Sequence, residues 1–311
     1  MGEWPILSVV IATYNRLAEL QTMLDGLLPQ VHGQPVEVVV VDDRSTDATW
    51  EWLQTTFASS SETIPLRMEK NSGPGPARNA GLAAARGRYF VPIDSDFFVM
   101  DGAIERILRA VREEPRRPLL FFPCLQYPAM RRLDKLSGRR EIGYSSFMSE
   151  QIGELIPVVD LEYIRARGLA YPNLRAGGES LLWASILANG PALFLDSPII
   201  LYRTDVAQRI CTLKYQMEHP GDLADVADAM ATLFSGNSQL VIRQAAATKY
   251  LAAGTYHLLA GNMGAGRRRL VSAAAKGCWP AVPTLAASLG GRRCFRALFR
   301  FYRTKLKRAY L

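Results

Sequence analysis

Acidic side chains are missing from the C-terminal part of this 311-residue sequence. Residues 229–311 contain 14 Lys and Arg and no Asp or Glu, whereas the residues before them carry a net negative charge. The formal net charge of +8 is therefore the sum of a negatively charged part and a positively charged part. This distribution excludes a uniformly basic protein. A basic tract of this length predicts an anionic neighbour.

Cysteine and long apolar runs are also scarce. The four cysteines, Cys124, Cys211, Cys278 and Cys294, form no C-x-x-C pair, which argues against a zinc site and against a disulfide framework. No apolar run approaches the roughly 20 residues needed to span a bilayer, and residues 1–12 lack a signal-peptide pattern. With 49% hydrophobic and 21% charged residues, the composition is typical of a globular protein, for which we expect a cytoplasmic location.

Short β-branched runs alternate with helical patterns through the first hundred residues. The predicted order is strand 6–12, helix 17–28, strand 36–41, helix 44–53, strand 66–70, helix 76–86 and strand 88–93. We expect Ser45 or Thr46 to cap the second helix, because short polar side chains are preferred at that position. This alternation predicts a doubly wound α/β sheet. From about residue 206 the pattern is helical and rich in Ala and Leu.

Paired aspartates follow two of the predicted strands. Asp42 and Asp43 end one strand, while Asp94 and Asp96 end another. An isolated Asp-x-Asp is usually a turn or a helix cap. Two such pairs at the carboxyl ends of strands in one sheet instead indicate a site, because ligands bind along that edge. Carboxylates this close repel each other unless a cation or strong hydrogen-bond donors lie between them.

Four motifs resemble, in order and spacing, those of the family 2 glycosyltransferases, which have the GT-A fold. They are VVIATYNR, VVVVDDRSTDAT, GPARNAGLAAARGRYFVPIDSD and GGESLLW, within about residues 6–203. The resemblance implies a GT-A catalytic domain over residues 1–205 with a doubly wound mixed sheet, and a smaller α-helical region over residues 206–311. It also implies metal-dependent, inverting transfer of a sugar from a nucleotide-sugar to a hydroxyl of a saccharide or glycolipid. A UDP-sugar is the favoured donor, and a GDP-sugar is not excluded.

The resemblance assigns four residues to the base and the phosphates of the nucleotide. Thr13, Tyr14 and Asp43 take the positions that hold the base, and a carboxylate can accept the imide N–H of uracil. Arg78 takes the position of an arginine near the phosphates. The Gly/Pro loop before Arg78 lets the backbone approach a ligand, which weakens the alternative of a solvated helix residue.

The aspartate pair of the third motif receives two roles from the same resemblance. Asp94 takes the position that contacts the ribose, and Asp96 takes the position of the metal ligand. Oxygen ligands of this kind suit Mg²⁺ or Mn²⁺. A divalent cation between the diphosphate and Asp96 offsets the repulsion of the carboxylates and stabilises the departing nucleotide diphosphate.

The fourth motif departs from the family at the general base. Inverting members usually have Glu-Asp where this sequence has Glu179 and Ser180, and a serine hydroxyl is a far weaker base than a carboxylate. We favour Glu179 as the base, because two glycines before it let the backbone come close to the sugar. Asp160 or Glu154 could supply the carboxylate instead. A third reading is a catalytically impaired nucleotide-sugar-binding protein.

Two other protein classes fit the sequence less well. A nucleotidyltransferase would have a Gly-rich phosphate loop and a lysine directly after the first strand, where this sequence has ATYNR. A nucleic-acid binder is suggested by the basic tract alone, without an aromatic stacking motif or a recognition module. We therefore expect no nucleic-acid partner.

The last residues, 290–311, predict a basic amphipathic helix. Its apolar stripe would contain Phe295, Leu298, Phe299, Tyr302 and Leu306. The helix could pack on the protein's own core, or it could lie on an anionic membrane surface, which attracts basic residues and accepts apolar ones. The second option would place the protein at the cytoplasmic face of a membrane, beside lipid-linked saccharide acceptors.

Overall fold

The computed structural model of the chain describes residues 5–149, 152–203, 212–235 and 240–306. The chain divides into two compact units. The sheet unit comprises Met1–Arg175 and Leu182–Val206, and the helical unit comprises Ala176–Leu181 and Ala207–Leu311. The predicted domain boundary at residue 205 lies outside the described residues.

Strands and helices alternate in the first part of the sheet unit, up to Asp94. Its strands are β1 (Leu7–Thr13), β2 (Val36–Asp42), β3 (Thr63–Arg67), β4 (Tyr89–Asp94), β5 (Phe98–Val99), β6 (Leu119–Tyr127), β7 (Arg131–Arg132), β8 (Arg140–Ile142), β9 (Leu155–Asp160), β10 (Ala192–Phe194) and β11 (Ile200–Arg203). Its helices are α1 (Leu17–Val31), α2 (Thr49–Phe57), α3 (Pro74–Ala84), α4 (Ala103–Glu113), α5 (Tyr144–Ser149) and α6 (Leu161–Ala166). Helix α7 (Glu179–Leu187) begins in the helical unit and ends in the sheet unit.

The strands form one mixed sheet in the order β3-β2-β1-β4-β9-β6-β10-β8. Strands β3, β2, β1 and β4 are parallel, while β9 runs antiparallel to both of its neighbours, β4 and β6. Helices cover the parallel part because consecutive parallel strands need crossover connections. The predicted doubly wound mixed sheet is present.

Apolar periodicity explains how α1 and α3 pack on the sheet. Helix α1 buries Leu20, Met23, Leu24, Leu27 and Val31, which recur at helical spacing. Helix α3 approaches β1 so closely that a Cβ on Gly81 would lie 2.5 Å from Val10 Cγ1. Only glycine allows this approach, which fixes the start of α3 relative to the strand ends.

Two local predictions are wrong. Helix α2 begins at Thr49 rather than directly after Ser45 or Thr46, and neither residue caps it. Both instead contact the loop after β1: the Ser45 hydroxyl accepts a hydrogen bond from the Asn15 N–H (2.9 Å), and the Thr46 N–H donates to Asn15 Oδ1 (2.8 Å). Strand β3 also ends at Arg67, before most of the predicted 66–70 segment.

The helical unit contains α8 (Leu213–Glu218), α9 (Pro220–Ser235), α10 (Leu240–Ala260), α11 (Met263–Ala275), α12 (Ala281–Ala287), a 3₁₀ turn (Ser288–Gly290), α13 (Gly291–Phe301) and a π-helical turn (Tyr302–Leu306). Helices α10 and α11 form a helix-turn-helix pair. A Cβ on Gly254 would lie 2.7 Å from Leu270 Cγ, so the two helices pack in close contact. Within the described residues, no helix is both long and apolar enough to cross a membrane.

The predicted apolar stripe of the tail is divided in the structure. Phe295 is only 3% exposed, and Phe299 packs against the same core of the helical unit. Leu298 and Tyr302 are about half exposed, at 47% and 48%. The side chain of Leu306 lies outside the described residues. Part of the stripe therefore packs on the unit's own core, and part of it faces solvent.

Candidate functional site

Three strand ends meet at one edge of the sheet unit. Thr13 pairs with Asp42 across β1 and β2, and Ala12 pairs with Asp94 across β1 and β4. The Asp43 N–H donates to the Thr13 carbonyl at 2.8 Å, which extends the pairing by one residue. Adjacent strands lie about 4.8 Å apart, so these residues form a compact row. The sheet therefore brings together Thr13, Asp43 and Asp94, as the sequence predicted.

Asp43 is buried and holds the loop before α3. Its Oδ1 accepts a hydrogen bond from the Ser72 N–H at 2.8 Å, and its Oδ2 accepts one from the Gly73 N–H at 2.7 Å. Gly73 has a φ of +92°, a conformation that other residues adopt at a cost. Burial raises the pKa of Asp43 despite these two donors, which favour the ionised carboxylate. The carboxylate thus fixes the Gly/Pro loop.

Asp42 has a different environment from its neighbour. Its side chain is fully buried, with Arg67 Nε 3.1 Å from Oδ2 and the Ser45 N–H 3.1 Å from Oδ1. These contacts join the end of β2 to β3 and to the following loop. Asp42 therefore has a structural role.

The loop after β1 is held in an unusual conformation. Asn15 has a φ of +51°, and its amide and backbone contact Ser45 and Thr46 across the edge of the sheet. Tyr14 next to it is exposed. Thr13 Oγ1 is buried and has no hydrogen-bond partner among the described residues. A buried hydroxyl without a partner is costly, so it is suited to receive a ligand group.

Arg78 joins helix α3 to the first carboxylate of the Asp94/Asp96 pair. The Arg78 side chain is 8% exposed, and its Nη2 lies 2.5 Å from Asp94 Oδ1. The guanidinium also lies over the Tyr171 ring, with Cζ 5.6 Å from the ring centroid. The next residue, Asn79, exchanges two 2.9 Å hydrogen bonds with the Tyr171 backbone. These contacts hold Arg78 at the end of β4.

Asp96 forms an ion pair with Arg16, which the sequence prediction missed. The two side chains are 13% and 19% exposed. Burial raises the pKa of Asp96, the negative charge of Asp94 raises it further, and Arg16 opposes both effects. Arg16 is the last residue of the VVIATYNR motif, but it lies 80 positions before Asp96. Nothing in the local pattern signals a partner at that distance.

The Asp94/Asp96 pair fits a divalent cation. Both side chains can coordinate a metal only through carboxylate oxygens. The negative charge of Asp94 disfavours the ionised form of Asp96 unless a positive charge lies nearby. Among the described residues, no group of three or more His, Cys, Asp or Glu is arranged around one point. The residues therefore fit a hard cation held by one or two carboxylates, with water and substrate oxygens as its other ligands, which is how Mg²⁺ is commonly bound.

Glu179 is the first residue of α7 and belongs to the helical unit. It follows Gly177 and Gly178, whose φ values of +70° and +92° favour glycine. Glu179 is half-buried. Beside it, the Ser180 hydroxyl contacts Met230 Sδ at 3.5 Å. Ser180 therefore packs against α9.

Of the two other carboxylates considered, Asp160 does not lie at this edge of the sheet. It pairs with Tyr89 at the start of β4, which is five residues, or roughly 16 Å of strand, from Asp94. Its Oδ1 accepts a hydrogen bond from the Tyr163 N–H at 3.0 Å and caps α6. Asp160 as the base is therefore wrong. Glu154 directly precedes β9, near the carboxyl end of β6, and stays an alternative.

Comparisons of sequence agree with the motifs. A family model described as Glycosyl transferase family 2 matches residues 8–122. The succinoglycan biosynthesis protein ExoO of Rhizobium meliloti (strain 1021) is 30% identical in an alignment of 210 residues, which covers 60% of this chain and 57% of that protein. The putative teichuronic acid biosynthesis glycosyltransferase TuaG of Bacillus subtilis (strain 168) is 29% identical over 197 residues, covering 61% of this chain and 75% of that protein. The match thus spans less than two thirds of ExoO.

Comparisons of structure agree with the fold. S. aureus TarS 1–349 in complex with UDP-GlcNAc has a TM-score of 0.65 at 16% identity, over 91% of each chain. The mannosyltransferase PcManGT of Pyrobaculum calidifontis, in complex with GDP-Man and Mn²⁺, has a TM-score of 0.54 at 20% identity, over 97% of this chain and 83% of that one. At these identities the likeness shows the fold, a mixed α/β sheet core with a helical C-terminal region.

Proposed function

The chain belongs to glycosyl transferase family 2 by its residues 8–122, and on this premise we propose that it transfers a sugar from a nucleotide-sugar to a hydroxyl acceptor. The observation that carries the proposal is the row of Thr13, Asp43 and Asp94 along one edge of the sheet, with Arg78 held against Asp94. Carboxylates and a fixed arginine at the ends of parallel strands suit a ligand that carries both N–H donors and phosphates.

We propose a UDP-sugar as the donor. Thr13, Tyr14 and Asp43 would hold the base, since the Asp43 carboxylate can accept the imide N–H of uracil in addition to its two backbone donors. Arg78 would neutralise charge on the diphosphate, and Asp94 would accept from the ribose hydroxyls. The TarS complex contains UDP-GlcNAc and the PcManGT complex contains GDP-Man, so a GDP-sugar is the alternative to be tested.

We propose that Asp96 holds Mg²⁺ or Mn²⁺. When bound, the cation would neutralise the charge that develops on the departing nucleotide diphosphate. Asp96 contacts Arg16 in the structure, and the cation would take the place of that contact. The Mn²⁺ in the PcManGT complex supports this assignment.

We propose Glu179 as the base that deprotonates the acceptor hydroxyl, with inversion at the anomeric carbon. The two glycines before it leave the backbone open to a sugar, and a positioned carboxylate is the usual base for such a transfer. Ser180 cannot replace it, because a serine hydroxyl is a much weaker base. Glu154 is the second candidate.

We further propose that the acceptor is a saccharide or a lipid-linked saccharide and that the protein attaches peripherally to the cytoplasmic face of a membrane. Relatives named for succinoglycan and teichuronic acid biosynthesis support a polysaccharide acceptor. The acid-free basic tract of residues 229–311 supports an anionic surface.

A panel of UDP-, GDP- and dTDP-sugars, each with and without Mn²⁺, tests the donor and the metal by thermal shift. A ligand at about 100 times its dissociation constant stabilises the folded protein by about 2.7 kcal/mol. We expect the largest shift with a UDP-sugar and Mn²⁺. Asp96→Ala should remove the Mn²⁺-dependent part, and Asp94→Ala should weaken donor binding while keeping some response to metal.

The exposed Asp25 on α1 provides a matched control, because Asp25→Ala removes a carboxylate from the same unit away from the strand ends. A Mn²⁺-dependent shift that survives in Asp96→Ala would show that the metal assignment is wrong. A panel in which no nucleotide-sugar stabilises the wild-type protein would contradict the proposed function itself.

A further inference from the structure

Exposed apolar side chains are concentrated in one short segment of the helical unit. Of the ten large hydrophobic side chains that are exposed among the described residues, seven lie between residues 271 and 302. Trp279 is 80% exposed and Leu289 is 75% exposed. Single exposed apolar residues are normal in a globular protein, but a concentration of this kind in about a tenth of the chain is not.

Helix α13 has an outer apolar stripe besides the one that packs on the core. Phe295 and Phe299 face the core of the helical unit. Leu298, Phe301 and Tyr302 are spaced i, i+3 and i+4, so they are neighbours along one edge of the apolar arc, and all three are exposed. Packing within the unit thus accounts for one stripe and leaves the other in solvent.

The sequence around these exposed apolar residues contains basic side chains and no acidic ones. Residues 229–311 contain no Asp or Glu. Arg292 and Arg296 of α13 donate to backbone carbonyls within the helical unit. Arg293 and Arg300 are exposed, and within the described ranges neither of them forms an ion pair. Two cations of α13 are therefore available to an external anion.

We infer that Trp279, Val282, Leu289, Leu298, Phe301 and Tyr302 form a membrane-contact surface that binds an anionic lipid bilayer. A bilayer interface accepts amphipathic rings such as Trp and Tyr, takes up the apolar side chains, and supplies negative charge to the neighbouring arginines. The inference rests on the peripheral attachment proposed above and is independent of the transfer reaction.

Vesicle flotation of the full chain tests this surface. The probes are vesicles of phosphatidylcholine alone and vesicles that also contain phosphatidylglycerol. We expect flotation with the anionic vesicles only, and less of it as salt screens the charges. The triple variant Trp279→Ser/Leu298→Ser/Phe301→Ser should lower partitioning by at least about tenfold, because it removes three of the exposed apolar side chains.

Two control variants separate the surface from general effects. Met130→Ser removes a side chain of the sheet unit that is 52% exposed and should leave flotation unchanged. Arg293→Gln/Arg300→Gln should reduce the dependence on anionic lipid. All of these positions are exposed, so circular dichroism should show unchanged folding, and the thermal shift with a nucleotide-sugar should also be unchanged in each variant.

Three results would overturn the inference. One is equal binding to neutral and anionic vesicles by the wild-type chain, and another is full flotation of the triple variant. The third is a wild-type chain that ignores both vesicles and elutes as a dimer that the triple variant abolishes, which would assign the surface to a second copy. A failure of the nucleotide-sugar panel would leave the flotation result standing, since neither measurement uses the other's ligand.

Discussion

Replacing Asp43 by asparagine should damage both the fold and the proposed donor site. In the wild-type protein, its two carboxylate oxygens accept separate hydrogen bonds from the Ser72 and Gly73 N–H groups, at 2.8 and 2.7 Å. Asparagine has nearly the same shape but only one oxygen. Its NH₂ group would face one of the two donors, so one buried N–H would lose its partner.

The magnitude follows from these contacts. A hydrogen bond to a charged group contributes about 1.5–3 kcal/mol, and an unsatisfied buried donor costs a comparable amount. Asparagine is neutral, so the variant no longer buries a negative charge, and this gain offsets part of the loss. The cost of that charge in the wild-type protein is seen in the raised pKa of Asp43, which burial and the neighbouring Asp42 both raise. We therefore expect Asp43→Asn to lower the free energy of unfolding by about 1–2 kcal/mol. For a unit of this size the midpoint temperature should fall by roughly 2–4 °C per kcal/mol.

Urea denaturation and titration calorimetry with UDP check the two effects separately. UDP affinity should fall at least about tenfold, since the change removes the proposed acceptor for the imide N–H and loosens the loop before Arg78. Asp47→Asn is the matched control, because Asp47 is exposed and asparagine can still accept the hydrogen bond from the Thr49 N–H. An unchanged free energy of unfolding in Asp43→Asn would refute the claim that Asp43 fixes the Gly/Pro loop. Lower stability with unchanged UDP affinity would show that Asp43 is structural only.

Three further predictions concern catalysis, pH and thiol chemistry. Glu179→Gln should keep donor affinity and lose transfer by roughly two to four orders of magnitude, measured as kcat, whereas a strong gain in kcat from Ser180→Asp alone would show that Glu179 is not the base. The pKa of Asp43 is raised on folding, so the ionised carboxylate costs stability at neutral pH, and this cost disappears as the pH falls through the raised pKa. UDP affinity should fall over the same range, and more steeply in the wild-type protein than in Asp43→Asn; a parallel decline in the two proteins would contradict the assignment. Burial raises the pKa of the Cys124 thiol to about 12, so iodoacetamide at mildly alkaline pH should label the exposed Cys294 in the folded protein and spare Cys124, as read by peptide mass spectrometry.

The row of strand ends could be predicted because it depends on local patterns. A β-branched run that stops at polar residues marks the end of a strand, and parallel strands end at the same edge of a sheet. Thr13, Asp43 and Asp94 could therefore be placed together from the sequence. The alternation of strands and helices also indicated the doubly wound sheet without knowledge of any long-range contact.

The partners of the charged groups could not be predicted in this way. Arg16 and Asp96 are 80 positions apart, and Asn79 and Tyr171 are 92 positions apart. Which side chains meet at such separations depends on how the loops cross the edge of the sheet, and no periodicity in the sequence reports it. The misassigned caps have the same cause, because Ser45 and Thr46 satisfy a distant loop instead of their own helix.

The C-terminal helix shows a different limit. Helical spacing correctly grouped its apolar residues, but the apolar arc is wider than one packing face. Sequence periodicity alone does not say which part of such an arc contacts the core. The structure divides it, with Phe295 buried and Leu298 exposed.

The path of the chain limits where this protein can be truncated. The helical unit receives two separate pieces of sequence, Ala176–Leu181 and everything from Ala207 onward. A truncation near residue 205 would therefore delete most of that unit but leave its first piece attached to the remainder, with Ser180 deprived of Met230. Glu179 also lies in the segment Ala176–Leu181, which would lose the rest of its unit. Loss of transfer in a truncated chain could therefore come from a displaced Glu179, and it would reveal nothing about membrane contact. For the same reason, a relative that acquired a different C-terminal region would have to rebuild this six-residue segment at the same time, and the two pieces are expected to change together in evolution.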